Sequence, residues 1–306
     1  MLVVAALGGN ALLQRGQPLT AQIQRDNVKV AVRALADIVR AGHQLVITHG
    51  NGPQVGLLAL QNDAYKPDES YPLDVLGAQT AGMIGYLIEQ ELENELQHAQ
   101  PIVTLLTQVV VDLHDPAFTK PTKYIGPVYS QAEAQQRAEQ AGWQIAQDGD
   151  KWRRVVASPK PIDIPDLQVM KLLVKQGVVV ICNGGGGIPV VRDADNNLQG
   201  IEAVIDKDLS SAFLAKQLGA DALLLLTDVE AVYQDFGTPQ AQMLKTLTVS
   251  QGDALNVPVG SMGPKITAAC SFAASGGFSA IGRLSEALAL LSGQAGTHIV
   301  AETAAE

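Results

Sequence analysis

Four lysines stand out in this sequence, because basic residues are few and these four lie in short motifs. Lys120 and Lys123 belong to KPTKYIGP, Lys207 belongs to IDKD, and Lys265 belongs to GSMGPKI. Pro264 suits the first position of a helix, so Lys265 would project from a helix N-terminus, where it could meet a phosphate. The competing interpretation of Lys265 is an ordinary solvated lysine.

Phosphoryl transfer is the chemistry that such lysines suit. Its transition state spreads negative charge over the equatorial oxygens, so a protein mostly supplies positioning and positive charge, while Mg²⁺ bridges the nucleotide phosphates. Asp206 and Asp208 flank Lys207. These three residues are also compatible with a solvated helix start in which an aspartate is the N-cap. Among the scattered histidines only His49 adjoins a candidate turn, and we expect it to be structural.

Three glycine-rich turns follow predicted strands and could hold the phosphate. They comprise Gly8, Gly9 and Asn10 after the first strand, Gly50, Asn51 and Gly52 after the second, and the run from Asn183 and Gly184 to Gly187. Glycine lets the backbone approach a phosphate, and a following helix N-terminus supplies free N–H donors. The three asparagines add amide donors. Alternatively, each glycine merely permits a tight strand-to-helix turn.

Known nucleotide motifs do not account for these turns. None contains the GxxxxGK[ST] of a P-loop, and Gly50, Gly52 and Gly56 give GxGxxxG, one residue longer than the dinucleotide fingerprint. A nicotinamide oxidoreductase is therefore a distant alternative. It would need an acidic ribose-binding residue about 20 residues further on, at the end of the next strand. The next predicted strand ends much later, at Asp112.

The elements that must position these residues alternate between strands and helices. Apolar runs at 2–7, 44–49, 102–111, 178–182, 222–227 and 278–282 predict strands, and periodic segments at 21–41, 73–96, 167–176 and 208–218 predict helices. Several runs are apolar at consecutive positions, as expected for a parallel sheet that is covered on both faces. We therefore predict an α/β fold, with one mainly parallel central sheet between helices.

One stretch, at about 112–160, breaks this alternation and predicts a protruding insertion subdomain. Five prolines surround a helix-like run at 131–141. The segments WQIA and KWRRVV flank Asp148-Gly149, which predicts a two-stranded hairpin. Excursions of this kind over a sheet edge often serve as lids.

Composition limits the class of protein. The 306 residues carry a formal charge of -10, so general attraction to nucleic acid or to an anionic membrane is not expected. No apolar run approaches the ~18 residues of a membrane span, and no basic leader precedes the first strand. Cys182 and Cys270 lack metal-like spacing and are expected to be reduced core residues. We expect a cytoplasmic enzyme.

Taken in order, the motifs resemble the carbamate kinases of the amino acid kinase family. The motifs are ALGGNAL, ITHGNGPQVGLL, PLDVLGAQTAGMIGY, KPTKYIGPVY, CNGGGGIPV, AVIDKDL, LLLTDVEAVY and GSMGPKI. The resemblance runs from the first strand to about residue 300. KPTKYIGP within an insertion separates these enzymes from relatives such as acetylglutamate kinase. Tyr124, where proline is usual, and Asn183, where a small residue is more common, depart from the pattern.

The resemblance implies a reaction, a domain arrangement and a partner. The reaction is ATP + carbamate ⇌ ADP + carbamoyl phosphate, with Mg²⁺ accompanying the nucleotide and no metal ligands from protein side chains. Residues 1–180, including the insertion, would bind carbamate or carbamoyl phosphate. Residues 181–306 would bind ATP or ADP. The resemblance also implies a homodimer.

The resemblance further implies roles for individual residues. The phosphate cradle would comprise Gly8, Gly9, Asn10, Gly50, Asn51 and Gly52, with Asn183 and Gly184 also near the substrate. Lys123, Lys207 and Lys265 would neutralise transition-state charge, Asp208 would orient lysines, and Lys120 would contact carbamoyl phosphate. The nucleotide would be surrounded by Thr227, Asp228, Tyr233, Met262 and Lys265. From the residues alone, TDVEAVY could equally be an ordinary strand exit with a packed tyrosine.

Two further alternatives remain at this point. One is a sister kinase that phosphorylates another small carboxylate. The other is a non-catalytic sensor of carbamoyl phosphate or nucleotide, which would bind without turnover.

Overall fold

The computed structural model describes residues 1–14, 16–66, 69–255, 257 and 262–302, apart from the side chain of Asn10. The strands are β1 Leu2–Leu7, β2 Gln44–His49, β3 Ile102–Thr104, β4 Gln108–Val111, β5 Lys123–Tyr129, β6 Gln144–Asp148, β7 Lys151–Val156, β8 Pro161–Asp163, β9 Val179–Ile181, β10 Ile188–Arg192, β11 Leu198–Gly200, β12 Ala222–Thr227, β13 Val232–Gln234, β14 Gln242–Leu244, β15 Thr246–Thr248, β16 Phe278–Arg283 and β17 Thr297–Val300.

Helices connect most of these strands. They are α1 Ala21–Arg40, α2 Gly52–Tyr65, α3 Leu73–Glu95, α4 Gln131–Ala141, α5 Leu167–Lys175, α6 Lys207–Leu218, α7 Val249–Ala254, α8 Met262–Ala273 and α9 Ala287–Leu291. Gly42, Gly177 and Gly219, just beyond three of them, have positive φ angles of 83°, 77° and 68°. These glycines end the predicted helices in the left-handed conformation that glycine adopts without steric cost.

Eight of the described strands form the main sheet, in the order β15-β17-β16-β12-β1-β2-β9-β3. The strands from β16 to β3 run parallel to one another, and β17 is antiparallel to β16. The predicted strands at 2–7, 44–49, 178–182, 222–227 and 278–282 all lie here. The prediction of an α/β fold with one mainly parallel sheet is thus confirmed.

The central strand β1 explains why this sheet needs helices on both faces. Val4 and Ala6 belong to one core, to which α6 and α8 also contribute. Val3, Ala5 and Leu7 belong to a second core, shared with α1 and α3. Alternate residues of a strand point to opposite faces, so consecutive apolar residues bury both. The result is three layers, as predicted.

The predicted single strand at 102–111 is wrong. The chain leaves the main sheet after β3, and β4 instead pairs with β10 and β8 in a second, four-stranded sheet. Between them Leu106 is 55% exposed, and the hydroxyl of Thr107 donates a hydrogen bond to the Leu105 carbonyl. A largely apolar run does not show where the chain leaves one sheet and joins another.

The insertion at 112–160 is a compact unit rather than a bare hairpin. β6 and β7 form the predicted hairpin, but β5, which contains much of KPTKYIGP, pairs with β7 to make a three-stranded sheet. The predicted helix is α4, which begins with a capping box between Ser130 and Glu133. The hydroxyl of Tyr124 donates to the Gln147 carbonyl, so this departure from the usual proline joins β5 to β6.

Two other expectations can be compared with the fold. Cys182 and Cys270 are buried free thiols, as predicted. Among the helices that the structure describes, none has both the length and the apolar character needed to cross a membrane.

Candidate active site

The three glycine turns meet at one edge of the main sheet. They follow β1, β2 and β9, which are neighbouring parallel strands. A Cβ atom on Gly50 would lie 3.6 Å from the Gly9 nitrogen, and one on Gly185 would lie 2.2 Å from Nδ2 of Asn51. The turns therefore contact one another, and there is no room for a side chain at position 185. This is the carboxyl edge, where open parallel sheets bind ligands.

Gly9 and Gly52 leave their backbone accessible within this edge. Among the described atoms, nothing lies within 4 Å of the place where a Cβ of either residue would stand. Gly52 is also the first residue of α2, whose first N–H groups lack intrahelical acceptors. An anion could therefore approach the start of α2 closely. Gly8 lies deeper, and its N–H donates to the Leu226 carbonyl.

The asparagines of these turns hold the turns in place. Nδ2 of Asn51 donates to the Thr80 hydroxyl at 2.8 Å, and Nδ2 of Asn183 donates to the Ser210 hydroxyl at 2.9 Å. Asn183 has a φ of 48°, a conformation that asparagine tolerates better than most residues. These amide donors are therefore engaged within the protein, and the side chain of Asn10 lies outside the described part.

The start of α6 lies directly beside the glycine turns. The Thr48 and Ser211 hydroxyls share a hydrogen bond of 2.6 Å between the end of β2 and α6. A Cβ on Gly186 would lie 2.3 Å from the carbonyl oxygen of Ile205, the first residue of IDKD. The aspartate cap of the competing interpretation is present, since Oδ1 of Asp206 accepts from the N–H groups of Asp208 and Leu209, but this helix start is buried rather than solvated.

Asp208 joins two of the singled-out lysines. Its Oδ1 lies 2.6 Å from Nζ of Lys207, and its Oδ2 lies 2.9 Å from Nζ of Lys265. The first distance joins neighbours in sequence, and the second spans 57 residues from α6 to α8. Pro264 is the third residue of the described helix rather than the first, and Lys265 still lies in its first turn. Gly260 and Ser261 of GSMGPKI lie outside the described residues.

Burial and neighbouring charges shift the pKa values of this group in opposite directions. Burial alone would raise the pKa of Asp208, but Lys207 and Lys265 outweigh it and hold the pKa well below its ordinary value. Burial lowers the pKa of Lys207, and Asp208 opposes that change. Asp208 is 4% exposed and Lys207 is 8% exposed. Each charge is stable in the interior because its partner is present.

Asp206 ties the insertion to the same group, a function that sequence reasoning missed. Its Oδ2 lies 2.6 Å from Nζ of Lys123, which begins β5. Burial would raise the pKa of Asp206, but Lys123 and the capped N–H groups keep it below its ordinary value. The two residues are 83 positions apart. The sequence pointed to Asp206 only through IDKD, in which an aspartate lies on each side of Lys207. We call Lys123, Asp206, Lys207, Asp208 and Lys265 the lysine–aspartate cluster.

Lys120 stands apart from this cluster. It is exposed at the bend before β5, and it forms no ion pair with any acidic residue in the described part of the chain. His49, in contrast, is buried under the third turn, where a Cβ on Gly184 would lie 2.7 Å from its Nε2. Burial lowers the pKa of His49 to about 4, and Lys207 adds to the effect. A neutral, packed imidazole agrees with the expected structural role.

The residues expected around a nucleotide lie near the exit of β12. Thr227 ends that strand, and its hydroxyl donates to Oδ1 of Asp228 at 3.1 Å. Tyr233 lies in β13, and its hydroxyl donates to a Glu230 carboxylate oxygen. Met262 begins the described part of α8 and packs against the core. Gly8 links this region to the turns, because its N–H bonds to the end of β12.

Comparison with known proteins supports the resemblance inferred from the motifs. A family model described as the amino acid kinase family matches residues 1–281. A carbamate kinase of Rhizobium meliloti is 54% identical over 302 residues, which cover 98% of this chain and 93% of the relative. A carbamate kinase of Haemophilus influenzae is 53% identical, and the match covers 99% of this chain and 98% of the relative.

A solved structure agrees with these matches. The structure of a carbamate kinase from Giardia lamblia bound to AMP-PNP is 41% identical to this chain, with a TM-score of 0.89 and 98% coverage of both chains. The three-layer fold is that of an amino acid kinase. The chain belongs to the amino acid kinase family and, within it, to the carbamate kinases.

Proposed function

We propose that this protein catalyses reversible phosphoryl transfer between ATP and carbamate, the carbamate kinase reaction (EC 2.7.2.2). A carbamate oxygen attacks the γ-phosphorus of ATP, the bond from that phosphorus to the β,γ-bridging oxygen breaks, and ADP leaves with the electron pair. The observation that carries the proposal is the bridge from Asp208 to Lys207 and Lys265, beside the glycine turns. The full-length similarity to carbamate kinases supports the choice of substrate.

The carbamate side of the site would lie in residues 1–180. We propose that the first two glycine turns hold the transferred phosphoryl group and the carbamate, supported by the open space beside Gly9 and Gly52. The residues assigned to this side are Gly8, Gly9, Asn10, Gly50, Asn51, Gly52 and Lys120, together with Asn183 and Gly184 from just beyond residue 180. Lys120 would reach the substrate from the insertion, because its side chain is exposed and uncommitted to any described carboxylate.

Charge neutralisation would be the work of the cluster. Three ammonium groups, those of Lys123, Lys207 and Lys265, face two carboxylates, so positive charge remains for the phosphoryl oxygens. The lysines are held by short contacts before substrate arrives, and such preorganised charge is the main source of catalysis in reactions of this kind. Asp208 would orient Lys207 and Lys265 rather than act as a base, because its lowered pKa makes it a weak proton acceptor.

The nucleotide would lie on residues 181–306, near Thr227, Asp228, Tyr233, Met262 and Lys265. The Giardia relative is described as bound to AMP-PNP, and it matches almost the whole of this chain. We propose that Mg²⁺ arrives with the nucleotide and is held by its phosphates, since Asp206 and Asp208 are already paired with lysines. When bound, Mg²⁺ offsets the negative charge that develops on the β- and γ-phosphate oxygens.

A substrate comparison tests the choice of acceptor. The purified protein is incubated with MgATP and, in separate reactions, carbamate, acetylglutamate or aspartate, and ADP formation is measured. The proposal expects ADP with carbamate and only background with the other two. Turnover of acetylglutamate or aspartate instead would establish the sister-kinase alternative. Nucleotide binding without ADP formation from any acceptor would establish the sensor.

A further inference from the structure

Two glycines bring the backbone of the insertion close to the backbone of α2. They are Gly56, in the second turn of α2, and Gly126, in the middle of β5. A Cβ atom on Gly56 would lie 2.0 Å from the Gly126 Cα and 2.3 Å from its nitrogen. The obstacle is backbone, which cannot rotate away as a side chain can. Any side chain at position 56 would therefore force α2 and β5 apart by at least about 1 Å, since packed carbons prefer ~3.5 Å or more.

The surroundings make this contact a firm one. Gly126 has a φ of +69°, and its carbonyl accepts a hydrogen bond of 2.7 Å from Nε of Arg153 in β7. Ile125 is 1% exposed and shares a core cluster with Val55, the neighbour of Gly56. Buried apolar contacts therefore hold β5 against α2 at this level, and the hydrogen bond from Arg153 holds Gly126 to β7. A small cavity beside this contact is lined by both glycines, but a Cβ on Gly56 would meet the Gly126 backbone.

The same strand carries Lys123 into the lysine–aspartate cluster. Lys123, Tyr124 and Ile125 pair in continuous register with β7, and the register shifts only between Ile125 and Tyr129. Gly126 thus lies immediately beyond the regular segment that begins at Lys123. The contact of Lys123 with Asp206 is 2.6 Å, so a shift of the strand by about 1 Å would stretch it beyond the length of a hydrogen bond.

We propose that Gly56 is a positioning residue for Lys123: its lack of a side chain sets the depth at which β5 docks on α2, and hence the reach of Lys123 to Asp206. The proposal rests on the function proposed above, in which Lys123 neutralises phosphoryl charge. Gly56 itself would touch no substrate. It acts through the strand, so removing Lys123 should remove the effect of any change at position 56.

A double-mutant cycle tests this dependence. The value of kcat/KM for carbamoyl phosphate, at saturating MgADP, is measured for Gly56→Ala, for Lys123→Ala and for the double variant. Displacement of a catalytic group by about 1 Å can cost about 10²-fold, so Gly56→Ala is expected to lose at least tenfold. In the Lys123→Ala background the same change is expected to cost less than twofold. Equal losses in both backgrounds would overturn the proposal.

Gly77→Ala is the matched control. Gly77 is also a helix glycine, in α3, and among the described atoms nothing lies within 4 Å of a Cβ built there. Its substitution is expected to leave kcat/KM within twofold of the original protein.

If Gly56→Ala does not fold, Arg153→Gln replaces it in the cycle, because it releases the Gly126 carbonyl without a clash. The same pattern is expected, with a loss that disappears when Lys123 is absent.

A crystal structure of Gly56→Ala separates this inference from the proposed function. We expect the distance from Nζ of Lys123 to Asp206 to exceed about 3.5 Å, the limit of a hydrogen bond. An unchanged contact would overturn the positioning proposal even if the enzyme is a carbamate kinase. Absence of turnover in the unmodified protein would instead overturn the proposed function, and the crystal structure would still decide the role of Gly56.

Discussion

At the residue scale, the lysine–aspartate cluster depends on one buried carboxylate with two partners. Asp208 accepts one hydrogen bond from Lys207 and another from Lys265, and each N···O distance is 2.9 Å or shorter. In this arrangement two positive charges are brought to one point before any substrate is present. Loss of either lysine should affect the transition state more than the fold, because the other lysine still compensates Asp208.

Lys265→Ala is therefore expected to lower kcat more than tenfold, which corresponds to about 1.4 kcal/mol or more of transition-state stabilisation. The measurement is the steady-state rate of ATP formation from ADP and carbamoyl phosphate, with circular dichroism to verify the fold. Lys216→Ala is the control, since Lys216 is an exposed lysine of α6. An unchanged kcat in Lys265→Ala would remove Lys265 from the mechanism.

His49 predicts a pH dependence of stability. Its pKa in the folded protein is about 4, against an ordinary value of 6.5, so below pH 6.5 the unfolded chain takes up a proton that the folded protein refuses. Stability is therefore lost as pH falls from about 6.5 towards 4. The contribution between pH 7 and pH 5 is about 2 kcal/mol.

Urea unfolding at pH 7 and pH 5 measures this contribution. In His49→Gln the loss of unfolding free energy on acidification should be smaller than in the original protein, by about 2 kcal/mol. His114→Gln, at an exposed histidine, should change the loss little. Equal pH dependence in the His49 variant and the original protein would contradict a buried neutral imidazole.

At the element scale, Asp206 has two functions at the start of α6. Oδ1 of Asp206 caps the helix, and Oδ2 of the same carboxylate holds Lys123. Asparagine caps a helix about as well as aspartate does, but it carries no charge. Substitutions at this position can therefore separate the helix cap from the ion pair.

We expect Asp206→Asn to lower carbamate kinase activity with little loss of stability. Asp206→Ala should lower activity similarly and cost about 1 kcal/mol more in unfolding free energy, because the cap is also lost. Paired urea unfolding and rate measurements test this. Thr20→Ala removes the cap of α1, far from the cluster in sequence, and should cost stability alone. Equal destabilisation by Asn and Ala at position 206 would show that the cap contributes nothing.

The elements of the fold were largely predictable, because their signals are local. The run at 2–7 is apolar at every position, and it lies at the centre of the sheet with both faces covered. The run at 102–111 is also largely apolar, but it divides between two sheets. The point of division is decided only by the tertiary partners of its two halves, β9 and β10. The third strand of the insertion was missed because its partner, β7, lies more than 20 residues later.

The site was less predictable than the fold. Lys207 and Asp208 are adjacent, so their pairing can be anticipated from the sequence. The contacts from Lys123 to Asp206 and from Lys265 to Asp208 span 83 and 57 residues, and no spacing rule predicts them. Nor does the sequence show that Nδ2 of Asn51 and of Asn183 is already occupied by Thr80 and Ser210. Such contacts depend on how separate elements pack.

At the scale of the whole molecule, one edge of the main sheet is a candidate for self-association. The end strand β3 is only partly buried, and the nearby side chains of Met83, Tyr86 and Leu106 are 37%, 53% and 55% exposed. Edge strands and neighbouring exposed apolar side chains commonly mark interfaces. This surface supports the homodimer that the family resemblance implies.

Sedimentation equilibrium should therefore give a mass of twice the 32.2 kDa of one chain. Tyr86→Glu should shift the protein towards the single-chain mass, because it places a charge on the apolar surface. Tyr65→Glu, at a tyrosine that is 90% exposed on α2, is the control and should leave the mass unchanged. A single-chain mass for the unmodified protein would exclude the homodimer.

The central claim, that the cluster and the glycine turns form a carbamate kinase site, is tested most directly by coupled formation of ATP. Purified, folded protein is mixed with ADP, Mg²⁺ and carbamoyl phosphate, and ATP is followed with a coupled enzyme assay. The account predicts steady ATP formation that requires all three additions. Folded protein that forms no ATP from them would contradict it.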